Sequence, residues 1–374
     1  MNKLFKTGLI LALVVRLYLQ LIAVLALKFI PFKASFPYSD FFLSPKGPDW
    51  LWLWGNFDGV HYISIAIEGY LFGLTQAFFP FYPLLIRWLS LITHNQLWSG
   101  LIISHFCFIG FLYYFIRLGR LDYPAKTVSW AVLLLILFPT SWFFFSVYTE
   151  SLFLLLAALS LYLARTRRFT AAVLLAGIAS GTRLVGIFLL PAILWEYFQA
   201  VKKPKIHTLA LLSLTGISGF LLYLNFLQQK FNNFFIFITA QPGFGSGRQV
   251  DTIVMIYQVV FRYLKMFFGV SPVNDIFPVL VFEFSISLLF LGLIIYAFIK
   301  KVRLSYLIFF IPAFLLPTFT GSFASMPRYV LTGFPLFYLL ANLKYKPLKI
   351  IILLISFALL NWAFVRFSRG YWIS

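Results

Sequence analysis

The sequence predicts an all-α, polytopic integral membrane protein with a long first extracytoplasmic loop. Hydrophobic residues make up 62% of the 374 residues and charged residues only 11%, whereas a typical soluble domain is about 25% charged. Apolar runs near or above the roughly 18 residues needed to cross a bilayer recur along the chain. Together with the shorter runs, they predict about nine to twelve transmembrane or re-entrant helices in a single domain over residues 1–374.

Basic residues predict the orientation of the chain. Lys and Arg number 30 and Asp and Glu 10, so the formal net charge is +20. Clusters such as Arg165/Arg167/Arg168 and Lys202/Lys203/Lys205 lie between apolar runs, and short basic loops remain in the cytoplasm. This explains the charge without a nucleic-acid partner and places the N-terminus in the cytoplasm. The compact loops favour a bacterial or archaeal plasma membrane over the endoplasmic reticulum.

The segments follow from keeping these basic clusters inside. The first apolar run ends at Pro31-Phe32-Lys33, not at a small-residue cleavage site, which predicts a retained first span. The predicted order is span 9–30, extracytoplasmic loop 31–75, spans 98–116, 128–144, 150–164 and 209–226, extracytoplasmic loop 227–276, and spans 277–299, 304–319, 329–343 and 348–365.

Two segments have more than one interpretation. Residues 78–93 either cross the membrane or form a re-entrant or interfacial helix, and two prolines with Arg87 favour the second. Residues 170–197 are long for one span and contain Arg183, so they form two half-helices meeting at Gly181-Thr182-Arg183 or two spans with a tight turn. Irregular backbone at membrane depth is tolerated only where it is buried or lines a cavity.

Acidic residues and histidines concentrate in loop 31–75. The chain has 10 Asp and Glu plus 4 His, which makes 14 such residues, and five of them lie in this loop. No other segment gathers these groups so densely, which indicates chemistry at this face of the membrane. The five residues are Asp40, Asp49, Asp58, His61 and Glu68.

Ionisable groups at membrane depth are costly and therefore mark candidate functional sites. Glu150 and Arg328 begin predicted spans at the same face as Asp58, and Arg183 lies at the predicted half-helix junction. Several arginines beside an acid predict a site for an anionic, phosphate-bearing ligand. We interpret Arg16, Glu283 and Arg87 as structural.

Five motifs occur along the chain in a fixed order. They are Trp54–Tyr70 (WGNFDGVHYISIAIEGY) with Gln76–Arg87 (QAFFPFYPLLIR), Phe138-Pro139-Thr140 with Tyr148–Ser151, Ala176-Gly177 with Thr182-Arg183 and Gly186, Pro327-Arg328-Tyr329 with Phe334–Leu336, and Phe367–Trp372. In these motifs and their order the chain resembles the PIG-V-like glycosyltransferases of the GT-C superfamily over nearly its whole length. One position differs, because that family typically has Trp directly before the catalytic Asp, whereas Phe57 precedes Asp58 here and Trp54 lies one turn earlier.

The resemblance implies an inverting transfer of a sugar, mannose by family association, from a polyprenyl-phosphate donor to a lipid-linked or other extracytoplasmic glycan acceptor. Asp58 would be the general base. The implied partners are this donor, this acceptor and membrane lipids, with no cofactor. We expect no metal, since the leaving group is already a phosphate monoester and the loops lack an Asp-x-Asp pair. The residues expected to bind substrate are Trp54, His61, Tyr62, Glu150, Arg183, Arg328 and Tyr329.

A lipid-linked glycan flippase or other transporter is the alternative function, because it would also bind polyprenyl phosphates through buried arginines. It predicts polar residues through the full depth of the bilayer. A single acid-rich external loop and the order of the motifs favour the enzyme.

Overall fold

The predicted all-α fold class is confirmed. A computed structural model describes residues 2–34 and 36–373, and within these ranges the regular elements are 19 α-helices joined by loops and short 3-10 helices, without strands. The first ten helices are α1 (Asn2–Phe29), α2 (Ser39–Phe42), α3 (Asp49–Trp52), α4 (Asp58–Glu68), α5 (Phe81–Thr93), α6 (Gln96–Asp122), α7 (Ala125–Ile136), α8 (Glu150–Arg165), α9 (Phe169–Ser180) and α10 (Leu189–Ala200). The remaining nine are α11 (Ile206–Gly216), α12 (Ser218–Phe231), α13 (Ile236–Thr239), α14 (Ile256–Gly269), α15 (Phe277–Ile299), α16 (Leu304–Thr318), α17 (Met326–Tyr329), α18 (Pro335–Ala341) and α19 (Lys346–Ser368).

Several of these helices have the length and composition of membrane spans. Four of them, α1, α6, α15 and α19, pass this test over the described part of the chain. The pair α11 and α12 passes as a fifth span bent by 58°. Shorter apolar helices, including α5, α7, α9 and α16, pack among them. The chain is therefore an integral, multi-pass membrane protein.

Four of the predicted segments are interrupted. In the predicted span 128–144, α7 ends at Ile136 and a separate 3-10 helix covers Ser141–Phe145. The predicted break at residues 181–183 is present, because α9 ends at Ser180 and a 3-10 helix over Leu184–Phe188 leads into α10. The predicted span 209–226 is the bent pair α11 and α12. The predicted span 329–343 is not one helix either: α17, a 3-10 helix over Val330–Gly333 and α18 occupy this region, and Pro335 at the start of α18 has no N–H to continue the hydrogen bonding.

Glycines allow α9 to lie against the bent pair. A Cβ atom on Gly177 of α9 would lie 2.4 Å from the Thr215 carbonyl oxygen, and one on Gly219 of α12 would lie 2.3 Å from the Gly177 carbonyl oxygen. Membrane helices approach closely where small residues face each other. This contact fixes the position of the break that carries Arg183.

The two long loops lie at the same end of the molecule. The ring of Phe244 in the second loop is 5.8 Å from the ring of His61 in α4 and 5.6 Å from that of Phe78. The N–H of Gln249 donates to the carbonyl of Thr320, which follows α16. The second loop therefore packs over the first loop, as expected if both lie on one side of the membrane.

Candidate active site

Four charged side chains from distant parts of the sequence form one ion-paired network. Arg328 Nη1 donates to Asp58 Oδ2 at 2.5 Å, and Arg328 Nε lies 3.5 Å from Glu150 Oε1. Arg183 Nη1 donates to the same Glu150 oxygen at 3.0 Å. The side chains are 18% exposed at Asp58, 10% at Arg328, 15% at Arg183 and 1% at Glu150. The structure thus brings together four of the predicted site residues in a largely desolvated cluster.

A strained turn delivers Asp58 to the cluster. Phe57, directly before it, has φ 61° and ψ −119°, a region that non-glycine residues rarely occupy and that costs about 1–3 kcal/mol. The Tyr148 hydroxyl holds the turn, since it donates to the Asn56 carbonyl at 2.6 Å and accepts from the Asp58 N–H at 3.2 Å. Asp58 then begins α4, where the helix dipole favours a carboxylate.

The other members also lie at helix ends or at a break between helices. Glu150 is the first residue of α8, so its carboxylate also meets the positive end of a helix dipole. Arg183 has an extended backbone and directly precedes the 3-10 helix Leu184–Phe188. Arg328 lies in the last turn of α17. The site therefore forms where helix ends and breaks in helices come together.

Arg328 is fixed on several sides. Its guanidinium carbon lies 5.3 Å from the ring centre of Phe143, 5.4 Å from that of Tyr148 and 5.0 Å from that of Tyr329. The preceding carbonyl, that of Pro327, accepts a hydrogen bond from the Thr140 hydroxyl at 2.7 Å. Aromatic faces attract a desolvated cation. The guanidinium is therefore held in place before any ligand arrives.

Arg328 keeps Asp58 ionised. Burial on its own would raise the pKa of the Asp58 carboxyl, but the charge of Arg328 and its hydrogen bond outweigh burial and hold that pKa below its usual range. Burial lowers the pKa of the His61 imidazole in spite of the nearby Asp58 charge. At neutral pH the site therefore contains a carboxylate acceptor beside a neutral histidine.

Two polar atoms of the network have free hydrogen-bonding capacity. Glu150 Oε2 and Arg328 Nε are both buried and have no hydrogen-bond partner among the described residues. Buried polar groups are normally paired, and those left unpaired need an explanation. One acceptor and one donor side by side are suited to a sugar hydroxyl and a phosphate oxygen.

The remaining predicted residues divide into two groups. Tyr329 accepts from Arg328 Nη2 at 3.3 Å, and the Tyr62 hydroxyl lies 3.4 Å from that of Thr149, next to Glu150. His61 packs its ring 4.7 Å from that of Phe78 and is 7% exposed. These three residues line the cluster.

Trp54 lies elsewhere. Its ring is fully buried, its Nε1 donates to Gln20 Oε1 at 3.0 Å, and the Arg16 guanidinium covers it at 3.8 Å. This contact makes Arg16 a packing partner and gives no support to a substrate role for Trp54. Phe57 packs 5.7 Å from Phe367 and 5.7 Å from Trp372, so an aromatic residue before Asp58 anchors the C-terminal segment.

Comparison with known proteins assigns the chain to one family. A family model described as Mannosyltransferase (PIG-V) matches residues 9–300. The chain belongs to the PIG-V mannosyltransferase family. Neither a curated protein nor a solved structure matches the chain. Family membership supports membrane glycosyltransferase activity, with a lipid-linked sugar donor and a glycan acceptor in general terms. Arg328 lies beyond the matched residues of this PIG-V family chain, so its place in the site rests on the structure.

In this PIG-V family chain, the sequence did not reveal the contacts that two polar features make. Glu283, in the second turn of the apolar helix α15, accepts from the Tyr263 hydroxyl at 2.7 Å and from the Ser325 N–H at 3.3 Å. Ser325 has φ 66° and immediately precedes α17. Glu283 therefore holds the turn at Ser325, and Arg328 lies three residues after Ser325. These contacts agree with the prediction that Glu283 has a structural role.

The second feature is a polar cluster at the far end of α8. Arg165 donates to Asp122 with both Nη atoms at 2.8 Å, and the Tyr306 hydroxyl donates to Asp122 at 2.7 Å. The 16 residues of α8 place this cluster roughly 24 Å from Glu150. It ties together the ends of α6, α8 and α16, and only its arginine was noted from sequence, as part of a basic loop.

Proposed function

We propose that the protein transfers a hexose, mannose by family association, from a polyprenyl-phosphate donor to a lipid-linked or other extracytoplasmic glycan, with inversion at the anomeric carbon. The observation that carries the proposal is the ionised Asp58 held by Arg328 within a buried network of two carboxylates and two arginines. In this proposal both long loops lie outside the cytoplasm.

Asp58 is the general base. Arg328 binds Oδ2, while no hydrogen bond within residues 2–34 and 36–373 reaches Oδ1. The acceptor hydroxyl approaches Oδ1, its oxygen attacks the anomeric carbon, and its proton passes to the carboxylate as the bond to the phosphate oxygen breaks. The depressed pKa limits the strength of the base, but a phosphate monoester is a good leaving group and requires no protonation.

The arginines stabilise the charge that develops on the leaving phosphate. Arg328 Nε is buried and free of a hydrogen bond among the described residues, and Arg183 is 15% exposed next to it. Positively charged donors fixed in a water-poor site stabilise developing negative charge without reorganisation. Glu150 Oε2 accepts from a sugar hydroxyl and orients the ring, while Tyr62, Tyr329 and His61 shape the surrounding wall.

An apolar groove supports a donor with a long lipid chain. A cavity of about 200 Å³ lies between α7, α15, α18 and α19 and is lined by Phe138, Pro139 and Ser356 among other residues. Leu289 and Ile355 in its wall are 44% and 55% exposed, so the groove opens on the lipid-facing surface. Pro139 precedes Thr140, which is bonded to the segment carrying Arg328. We assign the polyprenyl chain to this groove.

A transfer assay with defined donors tests the proposal. The full chain in lipid is given radiolabelled mannose on a long polyprenyl phosphate, on a ten-carbon prenyl phosphate or on a nucleotide diphosphate, with native membrane lipids as acceptor. We expect transfer from both prenyl donors. Ser356→Trp should impair only the long donor, while Ala358→Trp, on the exposed side of α19, serves as the matched control. Transfer from the nucleotide sugar alone would contradict the proposed donor.

A further inference from the structure

The charges of the network do not balance once a phosphate enters it. Two arginines, Arg328 and Arg183, face two carboxylates, and each arginine is ion-paired. The formal charge of these four groups is therefore zero. A phosphate monoester adds one to two negative charges, and burial of uncompensated charge is costly. A further cation is needed to make the site complementary to its proposed ligand.

The second loop supplies a candidate at the right place. Residues 245–248 connect two anchors: the Phe244 ring packs against His61 and Phe78, and the Gln249 N–H donates to the Thr320 carbonyl at 2.8 Å. The loop therefore runs from α4 of the first loop to the turn that precedes α17. Arg248 lies in this connection, next to the second anchor.

Arg248 lies near the network without an ion pair in it. Its side chain is partly buried, and it is close enough to Asp58 for its positive charge to favour the ionised carboxylate. Within the ranges that the structure describes, no carboxylate lies at ion-pair distance from it. The neighbouring Arg262, by contrast, is bonded to the Gly321 carbonyl and to Gln249.

The backbone beside Arg248 forms a glycine-rich turn with open space around it. Gly245 and Gly247 have φ values of 72° and 65°, and a Cβ atom at either position would meet nothing within 4 Å. The Arg248 N–H donates to the Gly245 carbonyl at 3.2 Å, which closes a tight turn. Gly245 and Gly247 adopt positive φ angles without strain, and Ser246 between them has φ 58°.

We propose that Arg248 binds the phosphate of the lipid-linked donor and that residues 245–248 form a strap over the phosphate. This inference rests on the proposed function and adds a residue to it. Asp58 and Glu150 compensate part of the positive charge of Arg328 and Arg183, so these two arginines stabilise the phosphate only in part, and Arg248 adds the uncompensated positive charge. The guanidinium geometry suits two phosphate oxygens at once.

Binding of farnesyl phosphate, compared with the uncharged alcohol farnesol, tests this assignment without requiring turnover. The full chain in lipid nanodiscs should bind the phosphate more tightly than the alcohol. Arg248→Gln should weaken binding of the phosphate by roughly tenfold to a hundredfold, the range for loss of a hydrogen bond to a charged group. Binding of farnesol should not change, and Arg248→Lys should restore part of the loss.

A matched variant separates the local role from a general change in charge. Lys265→Gln removes one positive charge from an exposed position of α14 and should bind both ligands as the wild type does. If the wild type prefers the phosphate and Arg248→Gln keeps the full preference, the role of Arg248 is refuted while the proposed donor stands. If the wild type shows no preference for the phosphate, the proposed donor itself is refuted, and this role of Arg248 with it.

Discussion

The contact between Asp58 and Arg328 is expected to stabilise the protein only while both partners are charged. Arg328→Gln leaves Asp58, 18% exposed, without its ion-pair partner and leaves Glu150 with Arg183 alone. At an effective dielectric constant of 20, a charge pair 2.5 Å apart attracts by about 7 kcal/mol. Desolvation offsets much of this, and loss of one partner of a buried pair costs about 3–5 kcal/mol.

The expected loss for Arg328→Gln is about 3 kcal/mol, at the lower end of that range. The reason is that Arg183 stays 3.0 Å from Glu150, so only Asp58 becomes unpaired. Adding Asp58→Asn removes the unpaired charge. The double variant should therefore lose about 2 kcal/mol less than the sum of the single variants, which is a coupling typical of contacting residues.

Equilibrium unfolding in mixed micelles, followed by tryptophan fluorescence, measures these free energies. The control cycle is Lys33→Gln with Asp275→Asn, a pair 3.7 Å apart whose side chains are 54% and 61% exposed. Its coupling should stay below about 0.5 kcal/mol, since exposed pairs are weak. Additive losses for Asp58 and Arg328 would refute the argument that the two charges compensate each other in a desolvated site.

Two further predictions concern pH and helix packing. Arg328 lowers the pKa of Asp58, so the ionised base is present above that depressed pKa and is lost only as pH falls through it. The pH profile of kcat/KM should therefore be flat between about pH 5 and 7. Arg328→Gln should move the fall in kcat/KM at acid pH to higher pH. Gly177→Ala places a Cβ atom 2.4 Å from the Thr215 carbonyl oxygen and should destabilise the protein by about 1–3 kcal/mol, whereas Gly292→Ala, with nothing within 4 Å, should not. If kcat/KM of Arg328→Gln falls at the same acid pH as that of the wild type, the effect of Arg328 on Asp58 is refuted. If Gly177→Ala and Gly292→Ala are equally stable, the close contact at Gly177 is refuted.

Composition and charge predicted the class of fold because the bilayer imposes strong and simple constraints on a sequence. Long apolar runs bounded by basic residues gave helices close to the observed ones, for example α15 over Phe277–Ile299. Sequence predicts the segment 329–343 as one span because most of its residues are apolar, whereas its helix is broken. Hydropathy records which residues avoid water, and it does not record whether the backbone between them is continuous.

The sequence predicted which residues form the candidate site, but it did not predict how they contact each other. Asp58, Glu150, Arg183 and Arg328 stood out because each is ionisable and lies near the same predicted face. Which carboxylate pairs with which arginine depends on contacts across as many as 270 positions of the sequence. No local pattern encodes such contacts.

Trp54 and Arg248 also show that the sequence alone does not reveal which residues lie near the site. Trp54 lies in the most recognisable motif, yet Arg16 and Gln20 enclose it away from the charged network. Arg248 lies in a glycine-rich loop with no informative motif, yet the anchors of that loop bring it to the network. Proximity in sequence to a catalytic motif is therefore a poor guide to proximity in the site.

The most direct test of the account compares Asp58→Asn with Asp40→Asn in the transfer assay. Asp40 lies in the same loop, but it is exposed and has no assigned role. Both folded variants are given mannose on a polyprenyl phosphate, and the initial rate of transfer is measured. The account predicts that Asp58→Asn loses at least about 10²-fold in kcat, the minimum typical of general base catalysis, while Asp40→Asn keeps the wild-type rate. Undiminished transfer by Asp58→Asn would contradict the assignment of Asp58 as the base.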